Sequence, residues 1–572
     1  MTDIDPIQTQ INKYLASNFE KIIQNEKLNY IKAYKSLKLY LSNNRYSKYK
    51  AFELIEAEQN KLLNDLYQEI NKLSTETWLM YLRRIHTLHV LPEHFRALSI
   101  LLVNNRNRNR MEMEVDGFLH EFNIENHHAF IVDEDTMNKL LHLVFSVSSK
   151  IVVICSMTPV MRLIGKGMEI EEVIDGFPKF FKNDNLSRAL YYYDNYCTPF
   201  AKLALPVDIC IKDNMKIEKN YDCFGLAPIQ KPLYITHAAN DFKWAIMHYL
   251  PFTFRLNDVF KLLDKYSEGI EIIFNVSMQS IRYVIYALSK LTGDTILSLF
   301  NTITIIDNEM CSSIDLNDVD SLNITKFSSD LLNRGYLRFK KDHLINRMCG
   351  VDYEDIDNNT KINLINEFMN AFCSIKTDDI KIYSDYIPFI YLTEKDNLII
   401  DFTTVFYFFE SLFKSGKEYY ATLQGDRFNA YVRQMLGSEL PHNVFVYDRN
   451  RDVINNNNEK AQIDVIVNIE DTVYIIECKA FEKKANYFKG HPKEITNRIN
   501  RIDNAVEQAK RSCKIAEEYF NEKFPINCNY DWIVCSTDRE FIYPLDRYGF
   551  LYDETPKVCT LEEIIEFFKS KV

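Results

Sequence analysis

The chain has 572 residues, of which 47% are hydrophobic and 26% are charged, and its formal net charge is −12. This composition excludes a largely disordered or fibrous chain, and the length predicts about three or four folding units. The sequence has no run of 18 apolar residues and no apolar leader with a basic flank, so we expect a cytoplasmic protein that does not enter a membrane. Because the chain is acidic, any contact with a nucleic acid requires a local basic patch.

Residues 1–145 are predicted to form a helical domain. Apolar side chains recur at helical spacing over residues 14–23 and again over residues 52–70. The polar run Asn104–Arg110 interrupts this pattern, and we interpret it as an exposed loop. Seven of the twelve histidines lie within residues 86–142, but their spacing does not suit a metal site, so we interpret them as surface residues.

Residues 146–380 are predicted to form a mixed α/β and helical region that serves recognition or regulation. The apolar runs Ile151–Cys155 and Pro206–Ile211 are typical of buried strands, whereas Leu256–Phe300 has a helical pattern. No GxxxxGK[ST] phosphate loop occurs in the chain, so we expect no ATP site. The sequence of residues 1–380 does not indicate an activity of its own.

Residues 381–424 are predicted to connect this region to the rest of the chain. The runs Phe389–Leu392 and Asn397–Asp401 flank a four-residue polar turn, which predicts a hairpin. The aromatic run Phe402–Phe413 follows, and its apolar character predicts a buried helix.

Residues 425–572 alternate between helix and strand patterns. The predicted elements, in the order helix, three strands, helix and strand, are Asp426–Leu436, Val444–Tyr447, Gln462–Ile469, Val473–Ala480, Glu494–Phe520 and Asp531–Ser536. This order predicts an αβββαβ core, which is a mixed sheet with helices on its faces. The expected fold class is therefore multidomain α and α/β, with the α/β core following a mainly helical N-terminal region.

Two acidic residues are predicted to face each other across the central hairpin. A turn at Glu470-Asp471 places Asp464 directly opposite Glu477, and Cβ atoms of such pairs are about 4.5–5.5 Å apart. Lys479 lies two residues beyond Glu477, so the two side chains share one face of the strand. Opposed carboxylates repel each other, and a divalent cation that prefers oxygen ligands removes that repulsion.

Lys479 adds a fixed positive charge near the position of an attacking water. Together with Asp464 and Glu477 it supplies the parts for metal-assisted hydrolysis of a phosphodiester. The alternative is a solvent-exposed acidic edge that Lys479 neutralises as a surface ion pair.

The helix that follows the hairpin favours the catalytic interpretation. Its apolar residues recur every three or four positions from Ile495 to Phe520, which predicts a stripe that faces the core. Residues 482–514 contain nine Lys or Arg and four Asp or Glu, a local positive excess that suits a polyanionic backbone. The predicted nucleic-acid contacts are Lys483, Lys484, Lys489, His491, Lys493, Arg498 and Arg501.

These residues resemble the PD-(D/E)xK, or restriction-endonuclease-like, nuclease superfamily over about the last 150 residues. Asp464 is followed after twelve residues by Glu477-Cys478-Lys479, and Gln508 is similar to the helix glutamine of the Mrr-like and RecB-like branches. The resemblance implies that Asp464 and Glu477 hold Mg²⁺, with Mn²⁺ as a substitute, and that Cys478 lends its main-chain carbonyl. It also implies that Lys479 assists the nucleophile and that Gln508 belongs to the catalytic group.

Two positions depart from the family pattern. Asn429 stands where many members carry a glutamate on the first helix, so a second metal ligand is missing unless Glu418 or Asp426 replaces it. Ser512 stands where the RecB-like branch has a tyrosine, which leaves the subfamily open.

The resemblance implies a metal-dependent endonuclease that hydrolyses phosphodiester bonds of DNA, with RNA left open as a substrate. By fold-level analogy we expect a prokaryotic antiviral defence or restriction-type setting, in which the protein acts as a homodimer or with a partner subunit. Two alternatives stay open. One is a nucleic-acid-binding or regulatory subunit with a non-cleaving nuclease fold, and the other is a structure-specific nuclease of DNA repair or junctions.

Overall fold

The computed structural model describes residues 6–70, 72–73, 78, 81, 134–195, 203–206, 222–233, 247–291, 335–373, 389–392, 397–422, 426–441, 444–447, 451–481, 485–523 and 528–572. The helices are α1 (Pro6–Asn43), α2 (Lys48–Ile70), α3 (Glu134–Gly165), α4 (Asp184–Asp194), α5 (Leu256–Asp264), α6 (Ser267–Phe274), α7 (278–291), α8 (Lys341–Cys349), α9 (Asn358–Phe372), α10 (Val405–Thr422), α11 (Asp426–Glu439), α12 (Ala485–Phe488), α13 (Pro492–Lys523) and α14 (Leu561–Lys571).

The strands are β1 (Ile170–Ile174), β2 (Phe177–Phe180), β3 (Ala204–Pro206), β4 (Asp222–Leu233), β5 (Met247–Phe254), β6 (Tyr336–Lys340), β7 (Ile390–Leu392), β8 (Asn397–Asp401), β9 (Phe445–Val446), β10 (Arg451–Ile454), β11 (Lys460–Ile463), β12 (Val465–Ile469), β13 (Thr472–Lys479), β14 (Asn529–Ser536), β15 (Phe550–Tyr552), β16 (Thr555–Pro556) and β17 (Val558–Thr560). The chain is mostly helical, with a small mixed sheet in its C-terminal region.

The chain forms two compact units, each assembled from separate segments. The first unit contains Met1–Lys35, Ala57–Met157 and Thr198–Ser415, and the C-terminal unit contains Ser36–Glu56, Thr158–Cys197 and Gly416–Val572. The sequence predicted consecutive domains divided after residues 145, 380 and 424. Local composition gives no signal that segments far apart in the chain pack into one unit.

The first unit is helical with two small antiparallel sheets, whose strand orders are β3-β5-β4 and β6-β8-β7. Its N-terminal helices pack around Trp78, Leu140 and Ile151, so the helical prediction for this region is confirmed where the chain is described. The predicted hairpin is confirmed as well, since β7 pairs with β8 and Ile390 lies opposite Ile400. The buried helix predicted after it is α10, in which Phe408 is fully buried.

The strand predicted at Ile151–Cys155 is wrong, because these residues lie inside α3. A short β-branched run suits a strand locally, but Ile151 and Ile154 belong to the helical core of the first unit. An all-round apolar helix of this kind is typical of a protein core. By length and composition alone α3 could also cross a membrane, yet 67% of its most apolar window is buried inside the protein, as it is in core helices.

Other predictions fall partly outside the described residues. The helical pattern predicted for Leu256–Phe300 is confirmed through residue 291. Of the predicted strand Pro206–Ile211, only Pro206 is described, at the end of β3. The predicted loop Asn104–Arg110 and the histidines before residue 134 lie outside the described part of the chain.

A five-stranded mixed sheet forms the centre of the C-terminal unit, with the strand order β17-β14-β13-β12-β9. β13, β14 and β17 run parallel, whereas β12 is antiparallel to both β13 and β9. Helix α13 covers one face, where Val506 and Ala509 pack with Val534. Helix α14 also packs on β13, where Phe568 contacts Tyr474 with ring centroids 5.1 Å apart.

The central hairpin has the predicted register. Ile469 pairs with Thr472 across the turn, and Val465 pairs with Ile476. Glu470 adopts a left-handed backbone with φ 50°, as tight two-residue turns require. The single strand predicted at Gln462–Ile469 is wrong, because β11 ends at Ile463 and pairs with β10 instead.

Segments from the N-terminal half complete the C-terminal unit. The end of α3 crosses the loop before α13 so closely that a Cβ on Gly165 would lie 1.6 Å from the carbonyl oxygen of Gly490. Arg162 fixes the same loop by donating a hydrogen bond from Nε to the carbonyl oxygen of Phe488 at 2.9 Å. The unit is therefore larger than the αβββαβ pattern at residues 425–536.

Candidate active site

Four of the predicted site residues meet where β12 begins and β13 ends. Asp464 occupies the break between β11 and β12, one residue before Val465, which pairs with Ile476; continuing this register places Asp464 opposite Glu477. Lys479 donates from Nζ to Oε1 of Glu477 at 2.7 Å and to Oε1 of Gln508 at 3.0 Å. The middle of α13 thus brings Gln508 to the end of the hairpin.

Glu477 is a buried carboxyl group with a raised pKa. Its residue is only 2% exposed, and burial is the main reason that its pKa is raised to about 7, with a further contribution from the charge of Asp464. The hydrogen bond and charge of Lys479 oppose this shift without cancelling it. A buried acid that titrates near neutral pH beside a second acid is typical of functional sites.

Asp464 is held by three hydrogen bonds. Asn429 Nδ2 donates to Oδ1 at 2.7 Å, and the main-chain N–H of Cys478 donates to Oδ2 at 3.0 Å. Arg433 Nη1 donates to the main-chain carbonyl oxygen of Asp464 at 2.7 Å. The sequence prediction missed Arg433, although its spacing of four residues from Asn429 places both on one face of α11.

Cys478 contributes its backbone to this edge. Its N–H points toward Asp464, and in an extended strand the N–H and C=O of one residue point to the same side. Burial is the main reason that the pKa of the Cys478 thiol is raised well above its ordinary value, and Cys535 on the neighbouring strand raises it further. A thiol in this state is not a nucleophile at neutral pH.

The donor set suits a hard divalent cation. Asp464 and Glu477 converge closely enough for one charge to raise the pKa of the other, and a bound cation would remove that repulsion. No cluster of three or more His, Cys, Asp or Glu side chains suited to a metal occurs within the described residues, but Mg²⁺ typically needs only one or two carboxylates with water and phosphate. The side chains of Glu418 and Asp426 lie outside the described part.

The predicted nucleic-acid contacts differ in their surroundings. Lys483 and Lys484 lie outside the described residues. Lys489 pairs with Glu56 at 3.5 Å, and the ring of His491 packs edge-on against Phe52 with centroids 5.1 Å apart. Lys493 and Arg501 are exposed near the start and on the flank of α13.

Arg498 requires a correction. It is 5% exposed, and its Nε donates to Oε2 of the fully buried Glu540 at 2.7 Å while Nη2 donates to Oε1. Nη2 also donates to the carbonyl oxygen of Phe481 at 3.3 Å. The prediction that Arg498 contacts nucleic acid is wrong, because a guanidinium committed to a buried carboxylate cannot reach a phosphate in solvent.

Comparisons with known proteins agree with this geometry. No curated protein matches the chain, and no solved structure matches it. Residues 424–536 match the family model described as the nuclease-related domain, NERD. That segment contains α11, the hairpin with its acidic pair, α13 and β14, so the chain carries a C-terminal domain of a PD-(D/E)xK-like nuclease family.

Proposed function

We propose that this protein is a Mg²⁺-dependent endonuclease that hydrolyses phosphodiester bonds of DNA, with Mn²⁺ as a substitute for Mg²⁺. The observation that supports this function best is the buried Glu477, paired with Lys479 and lying beside Asp464. In this proposal α11, β9, β12, β13, α13 and β14 are the αβββαβ core, and the β10–β11 ribbon is an insertion into it.

The proposed site residues have different roles in the reaction. Asp464, Glu477 and the main-chain carbonyl of Cys478 would hold the ion, which when bound supplies positive charge to the phosphate and lowers the pKa of its water. Lys479 uses one N–H on Glu477 and one on Gln508. An ammonium group has three donors, so the third can orient a water or a phosphate oxygen, and Gln508 keeps the amine in place.

The substrate would be bound along the exposed flank of α13. The guanidinium carbon of Arg501 lies 4.9 Å from the ring centre of Phe481, two residues beyond Lys479. Arg501 precedes Gln508 by seven residues, so the two lie on one face of the helix about 10 Å apart. We propose that Arg501 and Lys493 contact backbone phosphates next to the cleaved bond, with Lys483 and Lys484 as further contacts.

The biological setting is an inference from the family alone. We propose a cytoplasmic antiviral defence or restriction-type nuclease. One active site cuts one strand, so cleavage of a duplex requires a homodimer, a partner subunit or two successive nicks.

Lys479→Ala tests the activity most directly. Wild-type protein is incubated with plasmid, linear duplex, single-stranded DNA and RNA in Mg²⁺, Mn²⁺ or EDTA, and product is measured on gels. We expect metal-dependent cleavage by wild type that falls about 100- to 1,000-fold in Lys479→Ala, since removing one such electrostatic contact typically has effects of that size. Lys510→Ala is the matched control, because the ammonium group of Lys510 on α13 contacts Glu507 and the ring of Trp532, neither of which is a proposed site residue.

The outcomes separate the alternatives. Metal-dependent cleavage that persists in Lys479→Ala contradicts the proposed site. Binding without cleavage, unaffected by EDTA and by the substitution, indicates a non-cleaving subunit. Strong preference for branched over linear DNA indicates a junction or repair nuclease.

A further inference from the structure

Helix α11 contacts Asp464 at two different points. Asn429 reaches the carboxylate and Arg433 reaches the main-chain oxygen, each with a hydrogen bond of 2.7 Å. Asn429 is buried, and the four-residue spacing places both side chains on the same face of the helix. The two contacts constrain the side chain and the backbone of one residue at once.

The backbone of Asp464 lies between two strand pairings. The β10–β11 pairing ends at Ile463 and the β12–β13 pairing begins at Val465, so Asp464 belongs to neither pairing. The carboxylate of Asp464 itself accepts the N–H of Cys478, in the place that a strand partner would take. Arg433 then provides a donor for the carbonyl oxygen of the interrupted strand.

The amide of Asn429 faces Asp464 with its nitrogen. An amide N–H₂ group attracts an ionised carboxylate, whereas an amide oxygen would repel it. The amide nitrogen of Asn429 donates to Oδ1 of Asp464, and the main-chain N–H of Cys478 donates to Oδ2. The geometry therefore suits Asn429 as a hydrogen-bond donor that orients the carboxylate of Asp464, rather than as a third metal ligand.

We propose that Asn429 and Arg433 are positioning residues that fix Asp464, and that Asn429 acts only as a hydrogen-bond donor. This inference rests on the proposed function, because Asp464 matters only if it holds the ion. It gives the site the two carboxylates of Asp464 and Glu477 and excludes Asn429 from the metal ligands. Groups that orient a metal ligand typically change metal affinity or activity about 10–100-fold when they are removed.

Asn429→Asp distinguishes a donor from a ligand, because the two roles predict opposite results. If Asn429 is a donor, the new carboxylate repels Asp464, so Mn²⁺ affinity measured by calorimetry and cleavage at saturating Mg²⁺ both fall about tenfold or more. If Asn429 is a ligand, the carboxylate strengthens the site, and Mn²⁺ affinity that is equal or tighter with wild-type cleavage overturns the proposal. Asn429→Ala, which adds no charge, should show the same losses to a smaller degree.

A metal-free readout tests the contact independently of activity. In EDTA, Asn429→Asp should lower Tm more than Asn429→Ala does, because the new carboxylate repels Asp464 whereas alanine only removes a hydrogen bond. An equal drop in Tm for the two variants overturns the repulsive contact. If wild type neither binds metal nor cleaves any substrate, the proposed function fails, while this comparison still decides whether Asn429 contacts Asp464.

Arg433 is tested in parallel. Arg433→Met removes the donor and keeps the apolar stem, so Mn²⁺ affinity should fall about tenfold, and Arg433→Lys should recover part of it. Arg427→Ala is the matched control on the same helix, since Arg427 is exposed. Equal effects of Arg433→Met and Arg427→Ala overturn the role of Arg433.

Discussion

Among the buried glutamates of the C-terminal unit, Glu540 and Glu477 each lie beside a cation, and the two pairs differ in how completely the charge of the carboxylate is balanced. Near the N-terminus of α13, Arg498 donates two hydrogen bonds to the fully buried Glu540. The guanidinium carbon of Arg498 also lies 4.6 Å from the ring centre of Phe481. At the end of the hairpin, Glu477 receives one hydrogen bond from Lys479 and lies beside a second carboxylate.

The difference separates a structural ion pair from a reactive one. The planar guanidinium matches the carboxylate of Glu540 at both oxygens, so neither group gains from a further partner. Lysine at the other pair is a single point charge shared between Glu477 and Gln508. Glu477 therefore receives one hydrogen bond where Glu540 receives two, and a cation between Glu477 and Asp464 would relieve the repulsion of the two carboxylates.

Replacing each glutamate by glutamine should have opposite consequences. Glu540→Gln leaves Arg498 buried without a matching charge and should lower the free energy of unfolding by about 3–5 kcal/mol. Glu477→Gln removes the repulsion with Asp464, so the metal-free protein should be as stable as wild type or more stable, while cleavage is lost. Urea denaturation in EDTA measures the first effect and the gel assay measures the second.

The distinction between the two ion pairs fails if Glu477→Gln and Glu540→Gln change the stability equally. Equal destabilisation by Glu477→Gln and Glu540→Gln would mean that the hairpin pair is also structural. Arg498→Met offers a second check, since a loss of stability similar to that of Glu540→Gln would show that both substitutions break the same contact.

The stability of the metal-free protein should depend on the protonation of Glu477. Because its pKa is raised to about 7 from an ordinary 4.5, the folded chain binds this proton more tightly than the unfolded chain. The stabilising contribution is therefore complete below about pH 4.5 and is lost as the pH rises through about 7, with a total change of about 3 kcal/mol. The contribution of Glu477 is measured by comparing the free energy of unfolding of wild type and Glu477→Gln between pH 5 and pH 8.

The difference in stability between these two proteins reports on Glu477 and its contacts, since groups remote from Glu477 titrate equally in both. Wild type should lose stability relative to Glu477→Gln as the pH rises, and added Mg²⁺ should reduce that loss. Parallel pH profiles would show that Glu477 is not perturbed.

Arg501 should give the smallest effect. Arg501→Ala should weaken binding of duplex DNA by about 1 kcal/mol and reduce the slope of log affinity against log salt by about 1, as expected for one lost phosphate contact. Fluorescence anisotropy in EDTA at several salt concentrations measures both quantities. Arg511→Ala, ten residues further along the exposed side of α13, is the control, and an identical slope in the two variants would contradict a specific role for Arg501.

The parts of the site that sequence could predict are local ones. A two-residue turn fixes which residues of a hairpin face each other, so the position of Asp464 opposite Glu477 follows from counting residues. The apolar stripe of α13 similarly predicts which side of this helix packs on the sheet. Both inferences need only neighbours in the chain.

The parts that it missed depend on distant partners. Arg498 has the pattern of a surface residue, and its burial depends on Glu540, which lies 42 residues away. The run Ile151–Cys155 has strand propensity, and only the packing of α3 in the helical core overrides it. Arg433 carries no motif, because its partner is a main-chain oxygen that any residue could offer.

The crossing of Gly165 and Gly490 limits how this chain can be recombined. A side chain at either glycine would meet the backbone of the other segment, so neither position accepts a larger residue unless the backbone moves. A related sequence that replaced residues 424–536 would keep the C-terminal unit intact only if it also supplied glycine at position 490. The packing of the nuclease-related segment therefore depends on the end of α3, more than 250 residues earlier in the chain.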